Sequence, residues 1–278
     1  MTSPSPYNTP TSQVLPETNE IQPIKRPSGH GIAWCTSGVK LFSQQWGLFI
    51  AIGFTFVILS IVSQFIPFIG WIISSLLTIL LWAGFMYCCD NLEKHGQFSF
   101  NQFFVGFNQQ TGPLLLLAAV YLVAIMLIFM IAGMFLIFTV GMDFIFGLQS
   151  SSGMPAVSDE RLLLLGVTAL LIVMALMIPV LMAIWFAPTL IVLDQKPFWD
   201  AIKLSFLGCL RNMLPFLVYG LVLLVIGVVI MLPLLVSWYW LIAVFFLYIL
   251  FNPIIFCTIY TSYKDIFEHQ YSEGESLK

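Results

Sequence analysis

Few groups in this 278-residue chain could do chemistry: thirteen acidic and ten basic side chains, three histidines and five cysteines. His30, His95 and His269 are scattered, and none pairs with a Ser or Cys at a recognisable elbow, so a hydrolytic triad has no support. The adjacent Cys88 and Cys89 could bind a metal, but no His or Cys partner stands at ligand spacing. Small buried thiols are the better reading. Glycine-rich phosphate loops and carboxylate–histidine clusters are absent too. The residues therefore point to no catalytic side chain, no metal and no cofactor, and the chain reads as non-enzymatic.

Two weaker sets remain. Asn252 beside Pro253 lies in an otherwise apolar stretch. In a transporter or channel for a neutral or lipidic substrate it could line the path, with Pro179 as a second loosened point, since proline removes a helix hydrogen bond. Alternatively Asn252 bonds a neighbouring helix or the carbonyl that Pro253 frees. The second set is Lys40, Lys196, Lys203 and Arg211, which flank apolar stretches. Each could gain about 1 kcal/mol beside anionic lipid. They form a candidate shelf for lipid headgroups or a partner, or else plain topological anchors.

The surroundings of these residues decide the class. Hydrophobic residues make up 60% of the chain and charged ones 8%, with a mean hydropathy of +0.99. Soluble domains carry roughly a quarter charged residues, so this chain cannot cover a water-facing surface. That excludes a soluble enzyme and a disordered tail protein, and a net charge of −3 gives nucleic acid no basic footprint. Crossing a hydrocarbon layer of about 30 Å takes roughly 20 apolar residues in a helix. Six stretches meet that length, about 46–66, 68–87, 113–140, 162–188, 213–235 and 238–263, and none holds an Asp, Glu, Lys, Arg or His. They lack the period-2 alternation of membrane strands. The fold class is all-α, a polytopic bundle of six transmembrane helices. Charge-free spans also speak against proton-coupled transport, voltage sensing and charge-lined pores.

The flanks complete the layout. Residues 1–27 are rich in Pro, Ser and Thr and are expected to be a disordered tail. They lack the apolar core of a cleaved secretory signal. The membrane domain takes residues 28–266, and 267–278 form a second tail. With the N-terminus inside, the cytoplasmic side holds Lys25, Arg26, Lys40, Lys94, Lys196, Lys203, Arg211, Lys264 and Lys278, and the far side only Arg161. Positive residues stay cytoplasmic, so both termini are expected there, in a bacterial inner membrane. The five cysteines fall on or near that reducing side. Trp46 and Trp185 at one boundary, with Trp71, Trp238 and Trp240 at the other, fit an interfacial belt. Membrane lipids are the expected partners, with other membrane proteins as a second class and no nucleic acid.

Three segments before span pairs carry helical patterns. Ile32, Cys35, Val39 and Phe42 share one face; Phe100, Phe103, Phe104 and Phe107 another; Phe198, Ala201, Ile202, Ser205 and Cys209 a third. Each precedes a polar break and two spans. This predicts three hairpins, each introduced by an amphipathic helix lying in the headgroup plane. The middle spans, 28 and 27 residues long, must tilt, kink or protrude.

The run from Trp185-Phe186-Ala187-Pro188 through Ala201-Ile202-Lys203-Leu204-Ser205 to Cys209-Leu210-Arg211-Asn212 resembles a signature of an uncharacterised family of bacterial inner-membrane proteins. Gly31-Ile32-Ala33-Trp34 with Gly38 and Leu41-Phe42 looks like its N-terminal motif, and Phe103-Phe104-Val105-Gly106-Phe107 like its middle one. The resemblance spans Arg26 to about Tyr263 and implies six spans with cytoplasmic termini, but no catalytic residue. More distantly the plan looks like the membrane domains fused to some glycerophosphodiester phosphodiesterases. Their catalytic barrel has no counterpart in this sequence.

Overall fold

A computed structural model describes residues 21–67, 69–149, 159–235 and 237–267. Among them there is no strand, and nine α-helices follow in order: α1 (His30–Gln44), α2 (Trp46–Gln64), α3 (Gly70–His95), α4 (Thr111–Gln149), α5 (Asp159–Ile184), α6 (Ala187–Val192), α7 (Phe198–Arg211), α8 (Met213–Met231) and α9 (Leu241–Phe267). A 3-10 helix, Phe100–Phe107, stands between α3 and α4. Six helical stretches are long and apolar enough to cross a membrane: Trp46–Gln64, Gly70–His95, Thr111–Gly141, Glu160–Val192, Met213–Leu234 and Leu241–Phe267.

Several helices outrun their apolar stretches. α3 continues two turns past Tyr87 to His95, where Gly96 at φ 72° caps it and donates its N–H to Leu92 O. Hydropathy marks the length solvated by lipid, whereas backbone bonding continues until a cap intervenes. α4 likewise runs on to Gln149.

The fourth span is interrupted, but not at Pro179, which α5 carries in its interior. The break falls at Trp185-Phe186. Pro188, on the first turn of α6, has no N–H to give Ile184, so the ladder cannot continue there. Ser205 of α7 repairs the gap: its Oγ accepts from the Phe186 N–H at 2.9 Å and donates to Met182 O at 2.8 Å.

α1 departs from the in-plane expectation. His30 Nδ1 and Trp34 Nε1 meet the Asp265 carboxylate at 2.7 and 2.8 Å, Thr261 Oγ1 donates to Trp34 O, and Gly38 lies on Thr258. The partners descend along α9 as α1 ascends, so α1 packs lengthwise and antiparallel on the last turns of that span. A Cβ at Gly38 would come 2.5 Å from Thr258 Cγ2, and one at Gly31 2.3 Å from Pro215 O. The buried face is Gly31, Trp34, Gly38, Leu41 and Phe42; Ile32 and Val39, placed by periodicity on the apolar face, are half exposed. For α7 the expected face holds better, with Phe198, Ala201, Ser205, Gly208 and Cys209 buried.

The bundle is packed unevenly. At the end carrying both described chain ends, called here the near end, aromatic rings form a chain from Phe42 through Phe49 and Phe85 to Phe256, with centroids 5.9, 5.5 and 4.8 Å apart. A second group joins Trp34, Phe216, Phe186 and Phe267. The spans also differ in how much of their surface the protein covers. Half of α3's apolar window is buried, but only 6% of α8's and 11% of that across α5 and α6. α8 and α9 follow each other in the chain yet pack little together, so the third pair is no close hairpin.

Candidate functional site

The near end carries a polar cap built from four regions of the chain. α3 supplies Asp90, Glu93 and Lys94 on its extension beyond the apolar stretch. α9 supplies Tyr260, Tyr263, Lys264 and Asp265 at i, i+3, i+4 and i+5. Tyr260 Oη donates to Glu93 at 3.0 Å and to Asp90 at 3.3 Å, while Lys94 and Lys264 pair with Asp90 and Glu93 at 2.8 and 2.5 Å. Tyr263 Oη donates to Asp194 Oδ2 at 2.5 Å, which pins the α6–α7 turn onto α9. Burial raises the Asp194 carboxyl above the ordinary carboxylate range, and the Tyr263 bond, with Lys196 and Lys94, opposes that rise.

Asp265 is the hub of a second network. Its carboxylate receives Arg26 Nε at 3.1 Å as well as His30 and Trp34, and its backbone carbonyl receives Arg26 twice. Asn212, fully buried, accepts from the Arg26 N–H and donates to Ile24 O and Gly208 O; Ile24 N–H reaches Ile266 O. Residues 21–27, assigned by composition to a disordered tail, are thus an ordered strap. Their own side chains say little; the partners that hold them are far along the chain. Residues 1–20 lie outside the described residues.

The four candidate shelf residues do not act alike. Lys40 and Lys203 are exposed on α1 and α7. Lys196 is half-buried in the Asp194 turn. Arg211 gives Nη1 to Pro23 O at 2.9 Å, so it fastens the strap.

The candidate path residues divide as well. Pro179 is exposed on α5, and Pro253 is buried against Gly53 of α2. A Cβ at Gly53 would meet Pro253 Cδ at 2.9 Å and Ile249 O, the carbonyl Pro253 leaves free, at 3.2 Å. The close approach of α2 therefore covers that carbonyl. The Oδ1 of Asn252, one residue before Pro253, is buried and has no hydrogen-bond partner.

Three more buried atoms without partners are Trp82 Nε1, Trp185 Nε1 and Thr189 Oγ1, linked to Asn252 through ring contacts and helix spacing. Trp82 and Trp185 meet edge to face at 6.3 Å, and Trp82 meets Phe256 at 5.4 Å. Asn252 precedes Phe256 by one turn, and Thr189 follows Trp185 by four residues. Trp185, expected in an interfacial belt, is instead part of this internal junction. An unpaired buried polar atom costs about 1–3 kcal/mol, so four within a turn of one contact mark a place with unmet demand.

The cysteines show no ligand set. Cys89 and Cys257 Sγ atoms are 3.9 Å apart in the core, and among the described residues no group of three His, Cys, Asp or Glu could hold a metal. Cys209 is an inert thiol, with burial pushing its pKa up to about 12.

The chain is similar to a probable inner membrane protein of Burkholderia thailandensis, 28% identical over 259 residues, covering 89% of this chain and 94% of that protein. This is a multi-pass inner-membrane protein. No family model matches the chain, and no solved structure matches it. Three of the segments singled out in the sequence build the near end: Gly31, Trp34 and Gly38 seat α1, Phe103 and Gly106 pack on α3, and Ser205 and Asn212 bridge the breaks.

Proposed function

We propose that this inner-membrane protein is non-enzymatic and works by holding lipid between its distal helices, with the near end as a rigid base. The unevenness of packing carries the reading: α4, α5 and α8 keep their apolar surface outside the protein core, as helices do that are solvated by acyl chains rather than by one another. The uncharged spans and the lack of a nucleophile–base pair support a binding role. The cations at the near end favour cytoplasmic termini, and exposed Lys40 and Lys203 would then face anionic headgroups. The distant likeness to membrane domains fused to phosphodiesterases concerns the plan of helices only.

A carrier for a neutral or lipidic substrate is the second reading, favoured by the unpartnered Asn252 beside Pro253. Native mass spectrometry of the full chain, extracted with its lipids and washed in detergent, tests the first. Retention of one lipid class above its share in the membrane is expected. Loss of all lipid, or retention in bulk proportion, refutes it. Uptake of a lipid into vesicles only when the protein is present would establish the second.

A further inference from the structure

The junction of Trp82, Trp185, Thr189 and Asn252 has a definite hydrogen-bonding character. Both indole N–H groups can only donate, Asn252 Oδ1 can only accept, and the Thr189 hydroxyl can do either. From these elements we propose that the junction binds the head of a neutral, hydroxyl-bearing glyceride of the diacylglycerol class. Its ester carbonyls accept from the two indoles and its free hydroxyl donates to Asn252. The proposal rests on the lipid-holding reading above and adds which head is recognised.

Charge decides against a phospholipid. Along α3 the first ionisable side chain after Trp82 other than a tyrosine or cysteine is Asp90, along α9 after Asn252 it is Lys264, and after Trp185 it is Asp194. The nearest lysines on these elements, Lys94 and Lys264, are paired with Asp90 and Glu93. A phosphate set among the indoles would lie in low dielectric without a cation, which is far costlier than a neutral ester and hydroxyl. The aliphatic and aromatic surroundings suit acyl chains, since α5 and α8 leave Leu181, Ile178, Leu217 and Leu221 exposed.

The junction is closed in this arrangement, because the four polar atoms are covered. Parts of both indole rings and of Asn252 nevertheless reach the surface. Rotating an indole about its side-chain torsions carries its N–H outward, and the unmet hydrogen bonds lower the cost of that change.

Photocrosslinking of the full chain in phosphatidylcholine nanodiscs tests this, using a diazirine-bearing diacylglycerol and, separately, a diazirine-bearing phosphatidylcholine. The diacylglycerol probe is expected to label peptides containing Trp82 and Trp185. Trp82→Phe with Trp185→Phe keeps both rings and removes both donors, and labelling should fall about tenfold for two lost bonds. Asn252→Leu alone, a smaller change, should lower it about threefold. Undiminished labelling in either variant, or equal labelling of these peptides by the phosphatidylcholine probe, overturns the headgroup assignment while leaving the lipid-holding reading intact. If neither probe labels α4, α5 or α8 above the level on an unrelated six-span protein, that reading falls as well.

Discussion

The near and distal halves of the bundle are made from the same apolar alphabet and behave differently. Near the chain ends, small residues let backbones touch, aromatic rings fill what remains, and the break at Phe186 is bridged by Ser205 from another helix. Distally, α4, α5 and α8 present leucine, isoleucine, valine and phenylalanine outward with glycines that touch nothing. In water the second half would collapse. In lipid, apolar surface gives no drive for helices to associate, so only close packing and hydrogen bonds hold spans together. The contrast teaches that stability here resides where small and polar residues are, not where hydrophobic ones are densest.

Glycine substitution gives the largest expected difference between the halves. A Cβ at Gly84 would come within 1.8 Å of Phe103 O, backbone that cannot swing aside, whereas Gly227 meets nothing within 4 Å. Gly84→Val should cost about 3 kcal/mol or prevent folding. Gly227→Ala should stabilise α8 by about 0.5–1 kcal/mol. Thermal unfolding of both variants in one detergent measures this, and similar melting temperatures would erase the distinction between the halves.

Next in size is the Asp265 hub. Asp265→Ala leaves the largely buried Arg26 guanidinium with carbonyl partners only and frees His30 and Trp34. A loss of about 2 kcal/mol is expected. The strap should also loosen, so trypsin should cut after Lys25 in the folded variant and not in the parent. Unchanged protection would mean Asn212 and Arg211 hold the strap unaided.

How far the residues disclosed this arrangement differs between elements for physical reasons. The six spans were legible because each is a long run without charge, a property that lipid enforces locally. The buried face of α1 was not. Periodicity selects Ile32, Cys35 and Val39 as the face to hide, as it would in water, but beside lipid the residues turned inward are Gly31, Trp34 and Gly38. α7 was read more accurately because Ala201, Ser205 and Cys209 are small as well as aligned. The polar cap was missed because Asp90, Glu93 and Asp265 lie past the ends of the apolar runs and look like loop residues. Their helical spacing with Lys94 and Lys264 was the available signal. The orphaned indoles had no signal at all, since Trp82 and Trp185 are 103 positions apart.

A smaller effect should come with pH at the α6–α7 turn, where Tyr263 holds Asp194. The native carboxyl binds its proton more tightly than the unfolded one, because burial disfavours the charged form. Stability from this group is therefore fully present below the ordinary carboxylate pKa and is lost as pH rises through the raised native value. The melting temperature of the parent should climb relative to Asp194→Asn as pH falls across that window. Asp90, Lys94 and Lys196 also act on this carboxyl and are common to both proteins, so the difference between the two curves isolates it. A parallel pair of curves would mean that Asp194 titrates as though in water.

The smallest effects belong to the exposed cations, and they separate anchoring from packing. Lys203 is exposed, while Arg211, eight residues further on the same helix, binds the Pro23 carbonyl. Lys203→Glu should weaken retention of anionic lipid by about 1 kcal/mol per charge removed near the surface and leave the stability within about 0.5 kcal/mol of the parent. Arg211→Glu should do the reverse, loosening the strap through a lost hydrogen bond of about 1 kcal/mol with less change in lipid. Lipid retention by native mass spectrometry and tryptic cleavage at Lys25 read the two effects independently. If both variants shifted both readouts equally, the near end would be a single charged shelf after all, and the division between a packed base and a lipid-facing exterior would not extend to its surface.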